Sequence, residues 1–398
     1  MNGGMFSFGR LEDPYPMYAR LRAAGPAVQV SPGTFAVSRY DDVVSVLRNH
    51  AVFSSATMGF GGGFGARTVI GADPPEHTRL RSIVNRAFTP RMVAAMEPRI
   101  REISVGLIDK VVERGECELI RDVAIPLPVI IIAEVLGIDP ERREDFKRWS
   151  DSLVFSGAVA GSGDMQVSQQ EFRAYFAEAI EARRREPRED LISALTRAEE
   201  AETLTAAEVM AFTLLLLIAG NETTTNLIGN AMLVLLENPG QLARVQADSS
   251  LVPNMIEEAL RYESPVQLIM RTCARDTEVG GSPVPRGATV IPMYASANRD
   301  ERQFPEPDRF DIGRSNARDH VAFGYGPHFC LGAPLARLEG QVVFEELLQR
   351  LPVIERVEDK VEWLPSPLIR GPKSLRLKFD QDAALAAASR SVAAGGAS

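Results

Sequence analysis

The sequence predicts a mainly helical protein with a small strand-rich part, and several observations support this. Most of the chain places apolar residues at helical spacing. One such pattern runs unbroken from Thr205 to Asn238, which corresponds to a helix of about 32 residues. Only short segments, at residues 28–38 and 289–292, alternate in polarity between Gly or Pro residues, as strands do. We therefore expect helices to carry the architecture and the strands to form a minor lobe.

Capping residues mark where several helices begin. Asp73-Pro74, followed by Glu76, has the form of an N-cap with Pro at the first helical position and an acid at the third. Thr89-Pro90 ends that helix and opens the next. Thr205 and Glu208 form a capping box before the long helix. At roughly 48 Å, the long helix should cross the whole molecule.

Length and composition bound the domain organisation. The chain has 398 residues, 45% of them hydrophobic and 24% charged, which is typical of a globular protein with a large core. Length alone leaves the number of domains open, but no stretch resembles a linker between independent domains. An Ala/Ser/Gly-rich tail begins at about Asp382. We expect one domain over residues 1–380 and a disordered tail over residues 381–398.

Charge and cysteine content exclude several functional classes. A net charge of -9 disfavours broad attraction to nucleic acid or to an anionic membrane. The 3 cysteines are too few and too scattered for a disulfide framework or a paired-cysteine zinc site. The N-terminal residues lack an export signal, and the most apolar stretches are shorter than the roughly 20 residues that span a bilayer. We therefore expect a cytoplasmic protein.

A glycine-dense loop at residues 54–73 is too long for a simple connector. It contains Phe60, Phe64 and Val69 among its glycines. Two interpretations stay open: an ordinary surface loop, and a mobile lid over an apolar site.

The segment from Phe323 to Gly332 carries the strongest chemical signal. It places a lone cysteine, Cys330, in a glycine-rich turn just before a pattern of helical periodicity. Amides at a helix N-terminus point toward such a sulfur and favour its thiolate form. Gly324 and Gly326 permit a tight turn, and Gly332 permits close approach of a flat ligand. The alternative is a small buried cysteine at a helix start.

This segment resembles the haem-binding signature of the cytochrome P-450 family, Phe-x-x-Gly-x-x-x-Cys-x-Gly. Phe323, Gly326, Cys330 and Gly332 occupy every fixed position of that signature. The resemblance implies that Cys330 is the axial thiolate ligand of the iron of haem b, and that Phe323 and Gly332 lie against the cofactor. It also implies the cytochrome P-450 fold, a single large helical domain with a small β-rich lobe.

A second match to the family is Glu258-Ala-Leu-Arg261, in a short helix that starts at Pro253 and stops before Pro265. The spacing places both side chains on one face. Together with Arg309 in Pro307-Asp-Arg309-Phe310, it is similar to the family's Glu-Arg-Arg network, which implies a structural role. On its own, the spacing is equally compatible with an ordinary surface pair.

A third match lies in the middle of the long helix, in the segment from Ala219 to Thr224. A buried acid and alcohol are costly there unless they serve water or a ligand. The segment resembles the family's oxygen-activation motif, in which Gly220 would leave room for dioxygen, Thr223 would bond it and Glu222 would relay protons. Ala219 would line the cofactor and the substrate. The alternative is a helical Thr bonded back to a carbonyl and a Glu that reaches solvent.

Haem carboxylates need cationic partners, and His77 and Arg81 share one helix face. The resemblance implies that these two residues, with Arg271 and His328, bind the propionates. A solvated basic helix face is the alternative for His77 and Arg81.

The family resemblance covers essentially the whole chain and implies a soluble bacterial monooxygenase, monomeric and active in secondary metabolism. Dioxygen would be the co-substrate, and electrons from NAD(P)H would arrive through a separate ferredoxin reductase and ferredoxin. Arg79, Arg86 and Arg337 are candidates for docking an acidic ferredoxin. Two rivals stay open: a peroxide-driven peroxygenase, which Glu222 and Thr223 argue against, and a non-catalytic haem-binding protein.

The resemblance also indicates which residues line the substrate side. They are mostly apolar: Phe60, Phe64, Val69, Leu215, Ala219, Thr223, Val266, Ile269, Leu368 and Ile369. Apolar burial favours a sizeable neutral ligand such as a terpenoid, steroid or polyketide. A fatty-acid hydroxylase is the alternative, since Arg67 or Arg370 could hold a carboxylate.

Overall fold

The computed structural model describes residues 12–56, 68–142, 145–146, 148–149, 163–200 and 204–395. Helices dominate this part of the chain, as the sequence predicts. The helices are α1 Tyr15–Ala24, α2 Tyr40–Arg48, α3 Glu76–Ala87, α4 Pro90–Ala95, α5 Glu97–Arg114, α6 Pro126–Leu136, α7 Gly163–Arg185, α8 Leu191–Glu200, α9 Ala206–Glu237, α10 Pro239–Ala247, α11 Val252–Tyr262, α12 Tyr294–Ala297, α13 Ala333–Arg350 and α14 Gln381–Gly395.

Short strands form three small sheets. The strands are β1 Ala27–Ser31, β2 Thr34–Val37, β3 Phe53–Ser54, β4 Cys117–Glu118, β5 Arg271–Cys273, β6 Thr277–Val279, β7 Ser282–Val284, β8 Thr289–Pro292, β9 Ile354–Arg356 and β10 Arg376–Phe379. The largest sheet has the order β1-β2-β8-β5-β3, in which only β2 and β8 run parallel. Both predicted strand segments lie in it, so the minor β lobe is confirmed.

The long helix α9 forms the centre of the helical core. The capping box is present: the Thr205 hydroxyl accepts from the Glu208 amide, and the Glu208 carboxylate accepts from the Thr205 amide. By length and hydropathy α9 could cross a bilayer. However, it packs on α6, α8, α11 and α13, and Leu227, Ala231 and Met232 lie fully inside the main apolar cluster. Its apolar composition is accounted for by this packing.

Two local predictions differ from the structure. Helix α3 begins at Glu76 and not after Asp73, because the Asp73 carboxylate instead accepts hydrogen bonds from Ser54 and from the Ser55 amide (2.9 Å). The tail predicted to be disordered forms helix α14 in its described part. Alanine has the highest helix propensity, and here Ala384 is buried where α14 packs on α5 and α13.

Candidate active site

The loop before α13 holds Cys330 in a fixed position. The Cys330 amide donates to the Phe323 carbonyl (2.8 Å), which closes the loop on itself. Gly326 has φ of 71°, and a Cβ there would lie 2.8 Å from the Leu47 carbonyl oxygen. Only glycine fits this conformation and this close approach. The glycine pattern of the sequence thus has a physical cause in the turn.

The sulfur of Cys330 lies at the N-terminal end of α13. Burial raises the pKa of the Cys330 thiol, while hydrogen bonds from the Gly332 and Ala333 amides and the positive charge of Arg81 act in the opposite direction. A half-buried thiol that accepts hydrogen bonds from amides is suited to ligate a metal, because the metal displaces the thiol proton and the amides stabilise the resulting thiolate.

The Glu-x-x-Arg pair of α11 is fully buried and not a surface pair. Arg261 donates to both oxygens of Glu258, at 2.7 and 2.8 Å, and both side chains have 0% exposure. Arg261 also donates to the carbonyls of Asn298 and Pro307, each at 2.9 Å. The pair therefore fixes the irregular chain that precedes the Cys330 loop, as expected for a structural role.

The third arginine of this network is Arg314, and the prediction of Arg309 is wrong. Arg314 is buried and its Nε donates to Glu258 at 3.1 Å. The Arg309 side chain is exposed and pairs with Glu306 (3.3 Å) and Asp311. Only the Arg309 carbonyl enters the network, accepting from Arg261 and Arg314. The sequence motif points to Arg309, but the turn that follows Arg309 brings Arg314 back to the carboxylate of Glu258.

Two predicted propionate ligands lie side by side, with their rings tilted by 50°. The rings of His77 and His328 are 4.2 Å apart, and Ser55 shares a hydrogen bond with His328 Nε2 (3.1 Å). Burial, followed by the charges of Arg271 and His77, lowers the pKa of His328 to about 3. Burial and the charge of Arg81 also lower the pKa of His77. Both imidazoles are therefore set to act as neutral donors.

The donor set fits a group with carboxylates. His77 Nε2 is buried and has no hydrogen-bond partner among the described residues, which is costly unless a bound group accepts from it. Burial also lowers the pKa of Arg81 and of Arg271. Two arginines and two imidazoles beside the Cys330 thiol match the needs of a haem: a thiolate for the iron, and cations and neutral hydrogen-bond donors for the propionates. The residues present therefore fit this cofactor.

The oxygen-activation segment lies in the middle of α9, without a break in the helix. The Thr223 hydroxyl donates to the Ala219 carbonyl at 2.9 Å, which is the back-bonded arrangement that the sequence left as an alternative. Glu222 and Thr223 are half-buried, and Ala219 is exposed. A Cβ at Gly220 would make only ordinary contact, 3.6 Å from Ile132 Cδ1. Protein packing therefore does not by itself require a glycine at this position.

A buried acid that the sequence analysis missed lies next to this segment. Glu339 of α13 is almost fully buried and hydrogen-bonds Thr224 of α9. Burial raises the pKa of Glu339 to about 8, although the bond to Thr224 opposes this. Glu339 therefore carries a proton at neutral pH. No local signal marks it, because it becomes notable only through a contact between two distant helices.

Three of the predicted substrate-side residues lie together, namely Val266, Leu368 and Ile369. Val266 forms a bridge with Ile369, and the Gln267 amide donates to the Leu368 carbonyl at 2.8 Å. Ile269 is joined to the end of β8, and Leu215 lies half-buried on α9. Val69 packs against the main core instead of projecting from a loop. Phe60 and Phe64 lie outside the described residues, so the lid interpretation stays a prediction.

Several predicted surface arginines are engaged within the protein. Arg370 is buried, pairs with Glu263 and lies 3.5 Å from the centre of the Trp363 ring. Arg79 pairs with Glu208, and Arg337 with Glu257 (2.7 Å). Arg67 and the side chain of Arg86 lie outside the described parts. Arg370 is therefore not available to hold a carboxylate, contrary to the alternative raised from the sequence.

Comparison with known proteins agrees with this geometry. The Cytochrome P450 family profile matches residues 162–379. The structure of CYP109Q5 from Chondromyces apiculatus is 48% identical, with a TM-score of 0.87 over 93% of this chain and 96% of that one. The myxobacterial CYP267B1, solved in complex with myristic acid, is 42% identical, with a TM-score of 0.84 over 94% and 98% of the two chains.

A curated relative adds a sequence comparison over nearly the full length. The Steroid C26-monooxygenase of Mycobacterium tuberculosis is 39% identical over 374 residues, which cover 91% of this chain and 92% of that protein. Identities and coverage of this size, together with the Cys330 loop and its surrounding network, lead to one assignment. The chain belongs to the cytochrome P450 family and is a cytochrome P450 monooxygenase.

Proposed function

We propose that this enzyme hydroxylates or epoxidises a sizeable, neutral and mostly apolar small molecule, such as a terpenoid, steroid or polyketide. The observation that carries the proposal is the burial and ion pairing of Arg370, which follows the apolar residues Leu368 and Ile369. Its guanidinium is buried between Glu263 and the Trp363 ring. A substrate carboxylate would have to displace a buried partner to reach it, which is unfavourable. Apolar burial is then the main attraction.

Haem b would be held by one residue at its iron and by a second group of residues at its propionates. Cys330 would ligate the iron, and His77, Arg81, Arg271 and His328 would bind the propionates. Phe323, Gly332 and Ala219 would line the cofactor. Bound in this way, thiolate-ligated haem supplies the activation of dioxygen for attack on a C–H or C=C bond.

Proton delivery would depend on Thr223 and Glu222 of α9. The Thr223 hydroxyl hydrogen is engaged with the Ala219 carbonyl, but its oxygen can still accept a further hydrogen bond. Glu222, the adjacent half-buried acid, can exchange protons with solvent. Gly220 would leave the space beside them open. These roles favour dioxygen over peroxide as the oxidant.

Electrons would come from NAD(P)H through a ferredoxin reductase and an acidic ferredoxin. Since Arg79 and Arg337 are in ion pairs within the protein, docking would rely on other basic residues, Arg86 among them. The test compares product formation with the ferredoxin system against formation with hydrogen peroxide alone, each over a range of salt concentrations. Faster turnover with peroxide would identify a peroxygenase, and rates indifferent to ionic strength would remove the acidic-partner proposal.

A fatty-acid hydroxylase is the second candidate, favoured by the similarity to the CYP267B1 complex with myristic acid. The two candidates are separated by spectral titration with myristic acid, its methyl ester and testosterone, in the parent enzyme and in Arg67→Ala. We expect the ester and the steroid to shift the haem spectrum at lower concentration than the acid. Tighter binding of the acid, lost in Arg67→Ala, would replace the neutral-substrate proposal by the carboxylate-anchored one.

A further inference from the structure

A buried carboxylate next to Glu258 belongs to a separate cluster. Glu257 of α11 accepts from Arg337 Nε at 2.7 Å and Nη2 at 3.1 Å, and from His320 Nε2 at 3.0 Å. The Ala322 amide donates to His320 Nδ1, so the ring proton must be on Nε2, where it points at Glu257. Burial alone would raise the pKa of Glu257, but these hydrogen bonds lower it to about 2. Glu257 is therefore a buried anion.

Glu257 also lies 3.8 Å from the exposed guanidinium of Arg318, but it is the two closer partners, Arg337 and His320, that contact the aromatic residue that closes the Cys330 loop. The Arg337 guanidinium lies 4.5 Å from the centre of the Phe323 ring, and the His320 ring lies 5.7 Å from it. The Phe323 carbonyl accepts the hydrogen bond of the Cys330 amide. Arg337 also lies in the second turn of α13, the helix whose N-terminal end carries Cys330. The cluster thus contacts the loop that holds Cys330 and places a positive charge close to it.

We propose that Glu257 is a positioning residue that holds Arg337 and His320 against Phe323, and thereby sets the geometry and the electric field around the Cys330 sulfur. This rests on the proposed ligation of haem by Cys330. Glu257 and Arg337 form a compensated pair. Removing either member leaves a net charge near the iron, with opposite sign in the two cases.

The experiment measures the reduction potential of the haem-loaded enzyme by spectroelectrochemistry. Glu257→Gln removes a negative charge, so the reduced state is stabilised and the potential should shift to a more positive value. Arg337→Gln removes a positive charge and should shift the potential to a more negative value. In the double variant the charges are balanced again, so the potential should return close to that of the parent enzyme.

Glu345→Gln is the matched control. It also breaks a carboxylate–arginine pair of α13, with Arg101 at 2.7 Å, but about 12 Å farther along the helix than Arg337. The potential should not move in this variant. Shifts of the same sign in both single variants, or no shift in either, would overturn the proposal.

Variants that fail to fold or to bind haem also test the proposal. If Glu257→Gln does not bind haem but the double variant does, the single variant suffers from an unpaired buried charge, as the proposal requires. If neither binds haem, the cluster serves folding alone and the proposal is wrong. The reduced carbonyl spectrum of the parent, recorded on the same samples, tests Cys330 ligation separately. If it lacks the thiolate band, the proposed function itself fails.

Discussion

The region around Cys330 and the region on the substrate side are held by different interactions. Near Cys330, buried charges dominate: Glu258 is enclosed by Arg261 and Arg314, and Glu257 by Arg337 and His320. On the substrate side, residues 265–267 meet residues 368–370 through a few backbone hydrogen bonds, and Arg370 at the end of this segment pairs with buried Glu263. The first region depends mainly on partners of opposite charge, whereas the side chains predicted to face the ligand in the second region are apolar.

This difference determines how each region should respond to substitution. Removing one member of a buried ion pair leaves an unpaired charge, which costs several kcal/mol in most proteins. Removing a methyl group from an apolar surface costs roughly 1 kcal/mol. We therefore expect abrupt losses around Cys330 and graded changes in ligand preference around Ile369.

The largest effect is expected at Cys330. Cys330→Ser should abolish the strongly red-shifted Soret band of the reduced carbonyl complex, because only a thiolate ligand produces that band. Cys273→Ala, which removes a buried cysteine away from this loop, is the control and should keep the band. A red-shifted band in Cys330→Ser would show that another residue ligates the iron.

The second prediction compares two arginines that are close in sequence. Arg314→Ala should lower the free energy of unfolding by roughly 3–5 kcal/mol and reduce haem retention, since it leaves buried Glu258 short of a partner. Arg309→Ala should change it by less than about 0.5 kcal/mol, because that side chain is exposed. Denaturant unfolding of the two variants measures both changes in the free energy of unfolding. Equal losses would contradict the placement of Arg314.

These two arginines show which features could be predicted from the sequence and which could not. The helical fold, the strand segments, the capping box and the Cys330 loop depend on local patterns, and all could be predicted. The choice of Arg314 over Arg309 depends on how a turn folds back onto α11, which no spacing reveals. The cluster of Glu257 and His320, and the contact of Glu339 with Thr224, likewise join segments that are distant along the chain.

Helix α14 shows that composition alone likewise does not determine the structure of a segment. An Ala/Ser/Gly tail has the composition of a disordered segment, but alanine also favours helix. Here the outcome is decided by tertiary contacts: Ala384 is buried, and Gln381 donates to the Val112 carbonyl at 3.1 Å. Such contacts with α5 cannot be predicted from the tail alone.

The third prediction concerns the link between the two regions, at Thr223. Thr223→Ala should still bind haem and substrate and consume NAD(P)H, but should release more of the reduced oxygen as peroxide. Thr213→Ala is the matched control, since its hydroxyl donates in the same way to the Val209 carbonyl (2.9 Å) of the same helix. Peroxide formed per NAD(P)H should rise only in Thr223→Ala. Unchanged coupling would assign proton delivery to Glu222.

The fourth prediction concerns pH and the buried carboxyl of Glu339. Its pKa is raised to about 8 in the folded protein from an ordinary value of 4.5. The folded state therefore holds the proton more tightly than the unfolded chain. The stability it contributes is fully present below pH 4.5 and is lost as the pH rises through 8.

Glu339→Gln removes this titration. The unfolding free energy of the parent should fall relative to that of the variant by up to about 1.4 kcal/mol per pH unit within this interval. Urea unfolding at pH 5, 6.5 and 8 measures the difference. A pH-independent difference between the two proteins would mean that Glu339 is ionised in the folded enzyme.

The smallest effect is expected on the substrate side, at Ile369. Ile369→Val removes one buried methylene, worth roughly 0.8 kcal/mol, so a ligand that contacts this residue should bind about fourfold more weakly. The carbonyl spectrum and the peroxide yield should stay as in the parent, because no charged group is disturbed. Ile354→Val in β9 deletes the same group from the core and serves as the control. It should lower stability without changing ligand affinity.

Spectral titration of both variants with testosterone and with methyl myristate measures the affinity for each ligand. If affinity changed in Ile354→Val but not in Ile369→Val, the turn at residues 368–370 would not face the substrate, and the contrast between the two regions would have to be redrawn.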